Sequence, residues 1–272
     1  MISVINNISS LVAENALSST QANLQNSLTQ LATGLRLNHG SQDPAAISIS
    51  DGLGANIAAL TQSSQNASNG VGLLQTADGA LSQVTNLLNQ AVTVATEAAN
   101  GGLTTAQATA ANQEFQSILS EINQIGTTTN FNGVAVFSAT AQTTFTSDGT
   151  ASGATTTSTT TGALSSTTLG LNADSLTSTT GAATALTDIT TAIATIAATR
   201  GSIGASVNQL SADTNVENTE VSNLTSAQNN VRNADIGATV ASMTQYNVLQ
   251  QTGMAALSQS NSMEQNVLKL LQ

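Results

Sequence analysis

Hydrophobic residues recur along this chain at spacings of three and four over long distances. In the C-terminal half one phase runs Leu186, Ile189, Ile193, Ile196, Arg200, Ile203, Val207, Leu210, Thr214, Glu217, Val221, Leu224, Gln228 and Val231, without a slip. No proline interrupts it, although Gly201 and Gly204 weaken it locally. Such a seam predicts a helix in a coiled-coil-like bundle, a rod of about 70 Å at ~1.5 Å per residue. A second seam runs Leu74, Ala77, Leu81, Val84, Leu88, Ala91, Ala95, Ala98 and stops at Asn100-Gly101-Gly102. A third runs Ala108, Ala111, Phe115, Ile118, Ile122, Ile125 and stops at Gly126. Glycine just past the last periodic residue ends a helix. Alanine lets backbones approach closely, so three such helices can bury their stripes on one another.

The two ends carry shorter seams. Leu17, Leu24, Leu28, Leu31 and Leu35 form one, ended by Gly40 and Pro44. Ile236, Val240, Met243, Met254 and Leu257 form a rougher one, closed by Val267-Leu268-Lys269-Leu270-Leu271. Residues 139–182 change character, being dominated by Thr, Ser, Gly and Ala. β-Branched Thr favours strands and scattered Gly favours turns. Just before them, Phe131-Asn132-Gly133-Val134-Ala135-Val136-Phe137 predicts a hairpin with Asn-Gly at its turn. The expected organisation is terminal helices at 1–40 and 232–272, a connector at 41–56 and a helical domain from 57–138 and 183–231. A hairpin is expected near 130–138 and a Thr/Ser-rich β/loop region at 139–182. The fold class is mainly α, an elongated antiparallel coiled-coil-like helical bundle with a small β element in the middle.

Composition narrows the picture. Charged residues are 7% and aromatics 2%, against roughly a quarter charged in ordinary soluble domains. Burial must come from Leu, Ile, Val and Ala, which suits an extended helical assembly. Four Lys and Arg and a formal net charge of −11 leave few cations to displace counterions from phosphates or anionic lipid headgroups. Neither nucleic acid nor a membrane is expected as a partner. With no cysteine there are no disulfides or thiolate metal sites. No apolar run approaches the ~18 residues of a membrane span. The segment Met1 to Glu14 lacks the basic start and long apolar block of a secretory signal.

Catalytic chemistry is hard to place. His39, the single histidine, has no His-Glu-x-x-His or cysteine partners and reads as a solvated loop residue. Gly52-Leu53-Gly54 lacks the third glycine and preceding strand of a dinucleotide loop, leaving a flexible connector. Asp43 and Asp51 read as solvated carboxylates. No cofactor or metal is expected. Arg200 sits in the long seam, where a buried charge must be matched. It either pairs across the bundle with an acid such as Glu114 or Glu121 or snorkels to the edge of the stripe. The sequons at Asn7, Asn66 and Asn223 read as chance tripeptides. The Ser and Thr residues of 143–180 are candidate O-glycosylation sites.

The terminal seams also carry a thermodynamic argument. Backbone ordering costs more than burial of a few leucines returns, and a lone helix is marginal in water. The ends are therefore expected to be largely disordered in a monomer and to fold when neighbours cover them. Heterologous contacts that do not close make filaments. The residues expected at that interface are Leu24, Leu28, Leu31, Leu35, Arg36, Val240, Met243, Met254, Leu257, Val267, Leu268 and Leu271.

Ordered short matches then point to a family. Leu31-Ala32-Thr33-Gly34-Leu35-Arg36-Leu37-Asn38, Gln75-Thr76-Ala77-Asp78-Gly79-Ala80-Leu81 and Thr129-Asn130-Phe131-Asn132-Gly133-Val134 resemble the N-terminal region of bacterial flagellin. Leu224-Thr225-Ser226-Ala227, Ala234-Asp235-Ile236, Met243-Thr244-Gln245-Tyr246, Leu249-Gln250-Gln251-Thr252-Gly253 and Gln265-Asn266-Val267-Leu268 resemble its C-terminal region. The resemblance implies a subunit of the flagellar filament, with both ends in an inner core and long helices plus the hairpin around it. It implies type III export, a chaperone on the C-terminal segment, and cap and junction proteins as partners. The variable middle is very short by the family's pattern. Ser41-Gln42-Asp43-Pro44-Ala45-Ala46 departs from the family's connector by adding a proline and losing charges. Val92-Thr93-Val94 stands where the family carries Arg-Glu-Leu, while Glu114 is kept. That implies weak contact with the vertebrate innate-immune receptor for flagellin. A hook–filament junction protein or a secreted coiled-coil adhesin are the rival readings.

Overall fold

The computed structural model describes residues 7–147 and 154–270. The chain is mainly α. Helices α1 (Ile8–Thr33), α2 (Pro44–Ala99) and α3 (Thr105–Thr128) are followed by two small hairpins, then by α4 (Thr179–Arg232) and α5 (Ile236–Leu270). The first hairpin pairs β1 (Asn130–Phe131) with β2 (Val134–Ala135), and the second pairs β3 (Gln142–Ser147) with β4 (Ala154–Thr159), both antiparallel.

Local chemistry sets these boundaries. The Asn7 side chain accepts from the Ser10 amide and caps α1, while Gly34, at φ 71°, ends it in the left-handed conformation. The Thr104 hydroxyl accepts from the Gln107 amide and the Gln107 side chain returns the contact, a capping box that starts α3. The Asn132-Gly133 turn joining β1 to β2 has both residues at positive φ, 51° and 80°, as a tight two-residue hairpin turn requires. Threonine survives inside α4 because its hydroxyls bond back one turn, as Thr187 does to the Ala183 carbonyl and Thr195 to that of Thr191.

One expectation is corrected here. The stretch expected as a connector, 41–56, is helical from Pro44 onward. Proline suits the first helical position because its missing N–H is an orphan there in any case. Asp43 accepts from the Ala46 amide at 3.0 Å and so supplies the cap. Gly52 and Gly54 then lie within the helix rather than in a loop.

The structure divides into a central unit, Ala55–Asn223, and a terminal unit, Met1–Gly54 with Leu224–Gln272. The central unit has one apolar core. On α2 the residues Leu60, Ala67, Leu74, Leu81, Leu88 and Ala95 are all buried seven apart, with Ala77, Val84, Ala91 and Ala98 as a second buried row. On α4 the matching row is Ala182, Ile189, Ile196, Ile203, Leu210 and Glu217. Phe115, Ile118 and Ile122 enter from α3, and Val136, Leu164, Leu171 and Leu176 close the core from the loops. An 18-residue window of α4 has a mean hydropathy of 1.2, enough by composition alone for a membrane span. In the fold α4 directs its apolar row into this core.

The other seam row of α4 sits at the rim. Ile193, Val207, Val221, Leu224 and Val231 are half-buried, and so is Arg200. The acid that meets Arg200 is Asp78 of α2, not Glu114 or Glu121. Nε donates to Asp78 Oδ1 at 2.7 Å and Nη2 to Oδ2 at 3.2 Å. The two side chains stay 37% and 43% exposed. Pairing and an edge position therefore coexist. The Arg200 hydrogen bond holds the Asp78 carboxyl below the usual carboxylate range.

Candidate assembly interface

The terminal unit is built from α1, α5, the first turns of α2 and the last turns of α4. Its chain breaks are pinned to each other. The Arg36 amide donates to the Arg232 carbonyl at 2.8 Å, the Ala234 amide to the Gly34 carbonyl at 2.9 Å, and Arg36 Nη2 to the Val231 carbonyl at 2.7 Å. Arg36 thus ties the end of α1 to the end of α4. At the far end of α1, Asn7 Nδ2 donates to Glu264 Oε2 at 3.1 Å and Ser10 Oγ to Asn261 Oδ1 at 3.0 Å. Helices α1 and α5 therefore run antiparallel. Gly253 of α5 lies beside Leu17 of α1, where an added Cβ would make ordinary contact at 3.4 Å.

Small and polar side chains sit between the two helices alongside half-buried Leu17, Leu24, Leu31, Met243 and Leu257. Asn23, Asn26, Ser27, Thr239, Ser242 and Tyr246 line a cleft of about 410 Å³ between them. Ser27, Ser50 and Thr239 are buried, and among the described residues of this unit Leu37 is the one large apolar side chain that is buried. Other large apolar groups face outward. Ile8, Leu11, Val12, Leu28, Ile49, Ile236, Val240, Val248, Leu249, Met254 and Met263 are all exposed, against Val134, Phe145 and Val216 in the central unit. Isolated exposed leucines need no explanation, but eleven exposed large apolar side chains in one unit form a candidate contact surface.

The sequence-predicted interface residues fall on this surface in part. Leu28, Val240 and Met254 are 47%, 40% and 51% exposed. Leu24, Leu31, Leu35, Met243 and Leu257 are half-buried, and Arg36 is exposed. The Val267 and Leu268 side chains and all of Leu271 lie outside the described residues. Sequence reasoning missed Ile8, Leu11, Val12, Val248 and Leu249. The i, i+3, i+4 spacing of Ile8, Leu11 and Val12 was a signal, hidden because the seam was traced from Leu17.

Two buried carboxyls lie in the central unit. Glu217 occupies the apolar row of α4 and accepts a short hydrogen bond from the Ser63 hydroxyl of α2. Burial pushes its carboxyl up, against the lowering effect of that bond, and Asp213 and Glu220 add to the rise. Asp174 is also raised, first by burial and then by the neighbouring Asp188. Among the described residues no group of three or more acids, histidines or cysteines is arranged to hold a metal.

A mainly α protein of coiled-coil-like seams, with its two ends joined in one unit, is the class this fold defines. The bacterial flagellin N-terminal helical region matches residues 4–142, and the flagellin C-terminal helical region matches residues 186–271. The chain belongs to the bacterial flagellin family. It is 41% identical to a flagellin of Serratia marcescens over 139 residues, which is 51% of this chain and 40% of the relative. It is 37% identical to flagellin 1 of Proteus mirabilis over the same length, 51% of this chain and 38% of the relative. The matches thus span well under half of these relatives. The crystal structure of Bacillus cereus flagellin is similar at 29% identity and a TM-score of 0.49, over 56% of this chain and 88% of that one.

Proposed function

We propose that this chain is a structural subunit that polymerises into the bacterial flagellar filament, its terminal helices making the contacts between copies. The observation that carries this reading is the terminal unit itself, where among the described residues Leu37 is the one large apolar side chain buried and eleven others are exposed. Covering one such side chain is worth ~1.5–3 kcal/mol, enough in sum to order helices that are marginal alone. Open, repeated contacts between identical copies then grow a filament. On this reading the ends gain most of their order on assembly, and the chain works outside the cell without catalysis. An export chaperone on the C-terminal segment, cap and junction proteins, and weak innate-immune receptor contact are its further partners.

Seeded growth tests the proposal. Purified chain added to filament seeds should elongate them indefinitely under the electron microscope, whereas a junction protein would add one layer and stop. Leu11→Glu and Val248→Glu place charges on side chains 58% and 54% exposed, so each should leave the monomer's helix content intact and abolish growth. Amide exchange should slow in α1 and α5 on polymerisation. Elongation by both variants at the unmodified rate would defeat the proposal.

A further inference from the structure

The β3–β4 hairpin rests on α2 through three contacts one helical face apart. The Ser147 amide donates to the Ser63 hydroxyl at 2.9 Å, and Asn66 Nδ2 donates to the Phe145 carbonyl at 3.3 Å. Thr144 lies over Gly70, where an added Cβ would come within 2.6 Å of its hydroxyl. Three strand steps cover about 10 Å and seven helical steps nearly the same, so the strand runs antiparallel along the helix in register. Gly70 and Ser63 continue the second row of α2 towards the start of that helix. The hairpin takes the place an apolar side chain would fill.

Ser63 has a single proton. Because the Ser147 N–H points into its oxygen, that proton is free to go to Glu217 Oε1. Glu217 is 7% exposed, and among the described residues its Oε2 has no hydrogen-bond partner. Asp213 and Glu220 flank it on α4. From α2, Leu60 and Ser63 face it, and from the hairpin Thr146, Ser147, Thr156 and Thr157, none of them ionisable. Among the described residues no cation lines this cleft.

We propose that Glu217 is a proton-operated latch for the β3–β4 hairpin, read out through the relay Ser147 amide to Ser63 hydroxyl to Glu217 carboxyl. Ionised, the carboxyl is a desolvated charge with one donor and two acidic neighbours. That penalises the docked arrangement. Protonated, it is a neutral group in an apolar row, and the cost of burying a charge is removed. The geometry agrees with the upward push that burial gives this group. A carboxyl raised in the fold contributes stability that is fully present below its ordinary value, 4.5 here, and is lost as pH rises through the folded value. The hairpin is held most firmly in acid. Every contact lies within one chain, so the latch does not depend on polymerisation.

Amide exchange on the full monomeric chain tests this, with protection factors corrected for the intrinsic base-catalysed rate. Protection at the Ser147 amide should fall by up to about tenfold per pH unit on raising pH from about 4.5 through the folded value. In Glu217→Gln and Glu217→Leu it should be independent of pH, and in Ser63→Ala it should be low throughout. The Leu176 amide, which donates to Asn112 Oδ1 at 2.8 Å, should keep its own profile in all three. A flat Ser147 profile in the unmodified chain, or a Glu217→Gln or Glu217→Leu chain that still follows it, would overturn the latch. High Ser147 protection in Ser63→Ala would overturn the relay.

Discussion

Two glycines of the central unit should respond to alanine in opposite directions. Gly126 is buried in the last turn of α3, against the backbone of the 160–178 segment. A Cβ there would fall inside the Leu164 carbonyl oxygen, and 2.9 Å from its carbon. A backbone cannot swing aside as a side chain tip can, so the segment must retreat by on the order of 1 Å to restore normal contact. That loosens the Ser166 amide from Asn123 Oδ1, now 2.7 Å, and the Thr161 hydroxyl from the Val136 carbonyl, now 2.6 Å. Overpacking costs ~1–3 kcal/mol and each weakened bond ~0.5–1.5 kcal/mol. The helix-propensity gain of alanine returns at most ~1 kcal/mol. Gly126→Ala should thus destabilise by about 1–5 kcal/mol, a large part of a typical domain's ~5–15 kcal/mol. Gly79 in α2 is exposed with nothing within 4 Å of its added Cβ, and there alanine should stabilise by ~0.5–1 kcal/mol. Urea unfolding followed by circular dichroism measures both, and limited proteolysis should show new cuts between 160 and 178 in Gly126→Ala alone. If Gly126→Ala matched Gly79→Ala, the claim that the segment is seated on α3 would be wrong.

Two further outcomes concern charge. Because Arg200 and Asp78 are 37% and 43% exposed, Arg200→Met should cost no more than ~1 kcal/mol, and a double-mutant cycle with Asp78→Asn gives the coupling. The carboxyl is lowered in the fold, so this contribution is present above the ordinary Asp value and fades as pH falls through the folded one; coupling that persists in strong acid would count against it. Asp174 behaves in the opposite sense. Burial and Asp188 raise it, so its stabilising effect belongs to low pH and is lost as pH rises through the folded value. Asp174→Asn, which supplies a donor to Asp188, should raise the melting temperature at neutral pH and flatten its pH dependence, whereas a drop at neutral pH would refute the assignment.

Much of the fold was legible because helix seams repeat in the chain itself. The rows through Leu74–Leu88, Phe115–Ile122 and Ile189–Leu210 can be read by counting, and the structure buries most of them. Counting failed where a row is completed by something other than its own side chains. Ser63 and Gly70 interrupt the apolar pattern of α2, so the seam appeared to begin at Leu74, yet both are in register and are covered by the hairpin. The partner of Arg200 was missed for a related reason. Asp78 lies 122 residues away, and pairing depends on the stagger of α2 against α4, which no local pattern encodes. Pro44 reads as a breaker unless Asp43 is seen to cap the helix behind it.

The contrast between the two units bears most directly on function. Both use leucine and alanine at heptad spacing, so propensity does not distinguish them. In the central unit each buried row meets another row, a loop or a hairpin of the same chain, and Phe115, Leu81 and Ile189 reach essentially no exposure. In the terminal unit the inward rows of α1 and α5 mix Leu24, Leu31, Met243 and Leu257, each only half-buried, with buried Ser27 and Thr239, whereas Ile8, Leu11 and Val248 are exposed. So many exposed large apolar side chains beside so few deeply buried ones depart from the usual order of a folded unit. Such a surface is one that identical copies, carrying the same exposed rows, can cover for each other. The least self-sufficient part of the chain is, on this argument, the part that assembles.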